Sequence, residues 1–267
     1  ARHLRHIKAA LRWAARQGYL AQAPIIDMPK SPGKMKGRPI TGEEYDRVID
    51  AVPKVRENDP EPWLRLIRGL WLSGLRISEA VALNWDDGPF QIDTTGRHPA
   101  FRIQGDGQKS GRAEICPATP DFVQWILGET PEAERHGPVF PVPGSDTREV
   151  GRVISKIGKK AGVVVERTEG KLNPKTKKRT PEVKYASAHD MRRSFGTRWA
   201  KKVMPAVLQR LMRHGSISTT MRYYVGFDSD DIAADLWANH SPADGNTAGA
   251  GNTLGNIAPK SPVTKRQ

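Results

Sequence analysis

Two tyrosines stand side by side at the end of the stretch RHGSISTTMRYY: Tyr223 and Tyr224, nine and ten residues after His214. A phenol ionises near pH 10, so it becomes a nucleophile at neutral pH only with a proton acceptor and a cationic neighbourhood. Upstream, SAHDMRRSFGTRWA sets His189 and Arg192 at i and i+3, one face of a helix, where they could address one anion together, while Arg193 and Arg198 point elsewhere. SGLRISEAVAL places Arg76 just after Gly74, between two apolar helical stretches. An arginine there is costly to bury unless an anion meets it. Glu79, three residues on, is one candidate partner and a phosphate is the other. GQKSGRAEICP puts Lys109 on a hairpin turn, from which it could reach over a groove. Each piece alone has a plain reading: a solvated helix face, an intrahelical ion pair, a lysine kept for solubility. Nor do the residues by themselves choose between the two tyrosines. Helix neighbours differ in direction by about 100°, so both rings cannot serve one phosphate.

Taken in order, GLRISE, the hairpin lysine before xxIxP, HDMRRSF and LMRHGSISTTMRYY resemble the boxes of the phage-integrase-type tyrosine recombinases, over residue 37 to about residue 238. The resemblance implies a set of roles. Arg76 matches the first catalytic arginine, Lys109 the hairpin lysine, His189 and Arg192 the H-x-x-R box, and His214 the position that opens the last box. In that box the nucleophile lies nine residues after the histidine, which is Tyr223 and leaves Tyr224 as a packing aromatic. Two departures stand out. Arg213 occupies a position where the family usually has glycine, so a cation could add a phosphate contact or crowd the turn. The extended DDGPFQIDTTGRHPAF before Lys109 implies an enlarged hairpin, which makes the lysine the least secure member, with Lys156, Lys159 and Lys160 as competitors.

The implied chemistry is cleavage of a DNA phosphodiester. Attack at phosphorus builds charge on the non-bridging oxygens, and two arginines can clamp it with planar donors that are always charged. His189 is the candidate base, His214 a hydrogen-bond donor to a phosphate oxygen, and Lys109 the acid for the leaving 5′-oxygen. A 3′-phosphotyrosyl product conserves the bond energy, so no ATP is expected, and with cations supplied by side chains no metal is expected either; DSDD at 228–231 reads as a helix start. The expected function is a site-specific recombinase or integrase of a mobile element. A type IB topoisomerase-like enzyme and a catalytically silent integrase-derived DNA-binding protein are the alternatives. The expected partners are double-stranded DNA and further copies of the chain, a homotetramer on paired sites with exchanged C-terminal helices; DIAADLW at 231–237 is the candidate exchanged helix, with Ile232, Leu236 and Trp237 on one side.

The elements that must position these residues follow from apolar spacing. The fold expected is mainly α with a small antiparallel β-sheet. Leu4, Ile7, Leu11 and Ala14 mark a helix over 3–20, and PKSPGKMKGRP at 29–39 reads as a linker. Thr41 with Glu44 forms a capping box. Helical patterns follow at 63–72 and from Arg76 to Trp85, then from Pro120 behind Thr119, and over 148–161, 189–201, 204–212 and 228–238. Phe101–Ile103 and Ala113–Cys116 read as the strands of the lysine hairpin, and 163–185 as a second hairpin with a basic tip, either a solvated turn or a DNA-contacting arm. The domains expected are 1–28, the end of a helical core-binding domain; the linker 29–39; a catalytic domain, 40–240; and a disordered tail, 241–267.

Bulk properties agree with a polyanionic partner. Against 29 acidic residues stand 43 Lys and Arg, a net charge of +14. The single cysteine, Cys116, excludes an internal disulfide and a Cys-rich zinc site. No apolar run approaches the roughly 20 residues of a membrane span. The start lacks a signal-peptide pattern and opens in mid-helix, which reads as a fragment of a cytoplasmic protein.

Overall fold

Apolar residues at i, i+3, i+4 and i+7 bring the chain together around one helix. In a computed structural model, described over residues 2–29, 37–105, 113–144, 146–170, 179, 181–224 and 237, that helix is α3 (Pro60–Ser73), whose Trp63, Leu66, Ile67 and Leu70 are all buried. Phe122 and Ile126 of α5 (Pro120–Glu129) and Val150, Ile154 and Ile157 of α6 (Thr147–Lys160) complete the same core. Burying side chains of this size contributes roughly 1.5–3 kcal/mol each before entropy is subtracted. α7 (Ala188–Ala200) packs across α3 and is covered on nearly every side. α2 (Gly42–Ala51) leans on α6. It starts at the expected capping box: Thr41 Oγ1 accepts from the Glu44 N–H at 3.1 Å, and Glu44 Oε2 accepts from the Thr41 N–H at 3.0 Å.

Strands β1 (Phe90–Asp93), β2 (Ala100–Ile103) and β3 (Glu114–Pro117) form an antiparallel sheet in sequence order. Period-2 alternation buries Phe90, Ile92, Phe101, Ile103 and Cys116, and leaves Arg102 paired with Asp93 at 2.6 Å. The stretch read as an enlargement of the hairpin therefore supplies a third strand. Phe90 and Ile92 explain why: both are apolar and both face the core. The tip of the β2–β3 hairpin, 106–112 with Lys109, lies outside the described residues. β4 (Val164–Thr168) and β5 (Glu182–Tyr185) make the second, two-stranded sheet, as read; most of its basic tip, 171–178 and 180, also lies outside them.

Some elements differ from the sequence reading. α1 (Arg2–Arg16) ends before residue 20, because the Tyr19 N–H turns back to the Ala14 carbonyl at 2.9 Å. α4 (Ile77–Ala82) stops before Trp85. There the Asn84 N–H donates to Phe90 O at 3.0 Å and the Trp85 N–H to Gly137 O at 2.9 Å, so pairing with distant backbone displaces the helix. α8 (Pro205–Leu211) falls where it was read, and a further short helix that was not read, α9 (Ile217–Met221), follows it, capped by Ser216. The helix expected at 228–238 lies outside the described residues apart from Trp237, which is helical. Residues 1–225 form one compact unit and 226–267 another. Among the described residues no helix is long and apolar enough to cross a membrane.

Candidate active site

The first arginine is placed by the break between α3 and α4. Gly74 ends α3 at φ 63°, a left-handed turn, and a Cβ there would collide with the Phe195 ring. The turn buries Leu75 and delivers Arg76 to the N-cap of α4. Glu79 reaches back from the third helical position: its Oε2 accepts from the Arg76 N–H at 2.6 Å and its Oε1 from Arg76 Nη1 at 2.7 Å. Arg76 Nη2 donates to the Arg213 carbonyl at 3.0 Å, and the guanidinium stays 45% exposed. Without DNA, the ion-pair reading of Arg76 and Glu79 describes the geometry.

α7 carries the second pair. Ser187 precedes it, and Asp190 closes the cap by accepting from the Ser187 N–H at 3.1 Å and the Ser187 hydroxyl at 2.6 Å. The solvated-face reading of this helix does not hold, because Asp190, Arg192, Arg193 and Ser194 are all buried. Arg193 pairs with Asp190, and Ile40 N–H donates to Ser194 Oγ at 2.8 Å. Arg198 lies over Trp71, its guanidinium carbon 3.6 Å from the ring centre. Arg192 donates to the carbonyls of Gly74 and Met212, which lie two residues before Arg76 and His214 in the first and last boxes. Burial, with Arg76 and Arg213 nearby, lowers its pKa to about 9, which leaves it cationic at neutral pH. His189 is exposed on one side. Partial desolvation and then Arg193 push its pKa below the usual histidine value, so it is a neutral imidazole at pH 7.

The last box wraps around α7. Gln209 Nε2 donates to the His214 carbonyl at 3.1 Å, and His214 Nδ1 lies 2.9 Å from the buried Thr220 hydroxyl. Burial first, then Arg192, Arg76 and Arg213, depress His214 to about 4. Its ring stacks on Tyr223 with centroids 5.9 Å apart and planes 15° apart. Tyr223 lies in the turn after α9, against Gly196 of α7. A Cβ on Gly196 would meet Tyr223 Cε1 at 2.6 Å and Met212 Sδ at 2.7 Å, so only glycine leaves room for the ring. Burial raises the Tyr223 pKa, against the pull of Arg192, Arg193 and Arg222. Tyr224 turns away and donates its hydroxyl to Val203 O at 2.6 Å.

Arg76, His189, Arg192, His214 and Tyr223, scattered over 148 positions of sequence, thus share one electrostatic neighbourhood, in which the arginines act on the histidine and the phenol. Lys109 lies outside the described residues. Sequence reasoning passed over Gly196 and the Thr220 partner of His214; their signals were a glycine inside a helical pattern and a hydroxyl six residues after the histidine. It also undervalued Glu79, whose carboxylate binds Arg76 and Arg213 and lies 3.9 Å from Arg192 Nη1.

The domain is mainly helical with small antiparallel sheets, and its Arg76, Arg192, His214 and Tyr223 share one electrostatic neighbourhood. Residues 38–229 match the phage integrase family. The chain belongs to that family, whose members are tyrosine recombinases, enzymes that break and rejoin DNA. It is 28% identical over 240 residues to tyrosine recombinase XerC of Mesorhizobium japonicum, covering 85% of this chain and 68% of that protein. It is 25% identical over 251 residues to XerD of Mycobacterium tuberculosis, covering 91% and 73%. Among solved structures it is similar to the Tn1549 transposon integrase in complex with transposon right end DNA, with a TM-score of 0.54 at 18% identity over 88% of this chain and 77% of that one. It is also similar to a lambda integrase dimer bound to a COC′ core site, with a TM-score of 0.52 at 14% identity over 79% and 70%. These two likenesses concern the fold.

Proposed function

We propose that this chain is a site-specific recombinase of a mobile element that cuts double-stranded DNA through a 3′-phosphotyrosyl intermediate on Tyr223. The observation that carries the reading is the seat of Tyr223, stacked on His214 and admitted by Gly196 beside the buried Arg192. Tyr223 Oη attacks the scissile phosphorus. Its bond to phosphorus forms, the bond to the 5′-oxygen breaks, and a 5′-hydroxyl leaves. The phenol must lose its proton, and burial makes that harder; neutral His189 is the acceptor assigned. Taking Nδ1 as the acceptor from Thr220 places the proton of a neutral His214 on Nε2, where it is offered to a non-bridging oxygen. Arg76 and Arg192 meet the charge that develops there. Lys109 protonates the leaving oxygen, a role worth roughly 10²–10⁴-fold.

The same reading assigns 1–28 to a helical DNA-binding domain, 29–39 to the linker, 40–240 to the catalytic domain and 241–267 to a tail. The assembly proposed is a homotetramer on paired sites with exchanged C-terminal helices. Solved relatives in complex with DNA support the DNA partner. The test is incubation with a nicked suicide duplex, followed by a denaturing gel. The unsubstituted chain gives a covalent protein–DNA band that Tyr223→Phe abolishes without loss of DNA binding. A chain that binds DNA but never forms the band is an integrase-derived binding protein.

A further inference from the structure

Arg213 is the one residue other than glycine, among those described, with a positive φ, 45°. A side chain in that conformation is strained, so something must hold it there. Its guanidinium is 5% exposed and pairs with Glu79 Oε2, while Nη1 reaches Cys116 Sγ at 3.7 Å. The left-handed turn also aims the Arg213 carbonyl at Arg76 Nη2, 3.0 Å away. Residue 213 therefore touches the Arg76–Glu79 pair twice, once through its backbone and once through its side chain.

Glu79 is mostly buried. Burial would raise its pKa, but Arg213, the Arg76 N–H, Arg192 and Arg76 outweigh that and hold it ionised. A buried carboxylate needs donors for both oxygens. For Arg76 to turn to a phosphate, it must release Glu79 Oε1. That release is cheap if Glu79 keeps another cation and dear if Arg76 is its main partner. Arg213 is that other cation, and it is sequestered too deeply to leave.

We propose that Arg213 is a positioning residue: by neutralising Glu79 from below, it frees the Arg76 guanidinium to exchange its carboxylate partner for the scissile phosphate. The inference rests on the recombinase reading above, because it assumes that Arg76 meets phosphate. Arg213 itself does not touch the DNA.

The test uses the full chain and the nicked suicide duplex, with covalent-band formation timed at saturating DNA and non-covalent affinity measured separately. Arg213→Gly keeps the turn, since glycine tolerates φ 45°, and removes the side chain with its guanidinium. It is expected to slow band formation about tenfold and to leave affinity within about twofold, a split that general loss of folding does not produce. With Glu79→Gln already present, Arg213→Gly should cost nothing more, because there is no carboxylate left to neutralise. Arg213→Lys should recover most of the rate and Arg213→Gln none; this pair carries the test if the glycine variant fails to fold. A full-rate glycine variant, an undiminished loss in the Glu79→Gln background, or equal rates for Lys and Gln would each overturn the proposal. If the unsubstituted chain forms no Tyr223-dependent band, the recombinase reading falls first and takes the inference with it.

Discussion

His214 and Gly196 show how single residues set the surroundings of Tyr223, the proposed nucleophile. His214 titrates near 4, below the ordinary histidine range. Its folded pKa is depressed, so between about pH 6.5 and 4 the unfolded chain binds more protons than the folded one. Stability is therefore complete above that window and declines as pH falls through it. His189 is shifted the same way. His214→Asn removes one of the two contributions, so its thermal midpoint should fall less steeply than that of the parent chain from pH 7 to pH 4.5; parallel curves would show that His214 is not held neutral. Gly196 is a steric matter. An added methyl group must push the Tyr223 ring or Met212 aside. Misplacing a reacting group by about 1 Å can cost about 100-fold in rate. Gly196→Ala should slow covalent-band formation at least tenfold while DNA affinity stays put. An equal loss of both would mean that the glycine serves packing alone.

At the scale of elements, the helices that carry the site were legible where apolar spacing was regular, and misread where distant backbone decides. The α2 capping box, the α3 stripe and α6 followed from Thr41, Trp63–Leu70 and Val150–Ile157 as written. The end of α4 did not, because Asn84 and Trp85 pair with Phe90 and Gly137, which no local pattern announces. α7 is where the plain reading of a segment taken alone fails: its His and Arg residues look solvated in sequence, and only the fold reveals that Asp190 pairs with Arg193 and that two backbone carbonyls hold Arg192. The order of the boxes named Arg76, His189, Arg192, His214 and Tyr223; the pairing of Glu79 with Arg213 required the geometry that joins α4 to the turn after α8. The β4–β5 hairpin bears its own prediction. Residues 171–178 carry four lysines. If they lie along DNA, deleting them should flatten the slope of log affinity against log salt by up to about 3–4. An unchanged slope would make the tip a solvated turn.

For the molecule as a whole, a charge of +14 supplies attraction to DNA, and the helical core brings together elements far apart in sequence. α3, α4, α7 and the α8–α9 turn converge through Arg192, which ties Gly74 to Met212, so the site is a product of the fold rather than of any one segment. The central claim is that Tyr223, and not its neighbour, becomes joined to DNA. Tyr223 stacks on His214 beside Arg192, whereas Tyr224 bonds to Val203 O on another face. The direct measurement is to trap the covalent complex on a suicide duplex, trim the DNA with nuclease, digest the protein and locate the nucleotide-bearing tyrosine by mass spectrometry. The account predicts a 3′-phosphonucleotide on Tyr223. The same adduct on Tyr224 would contradict it.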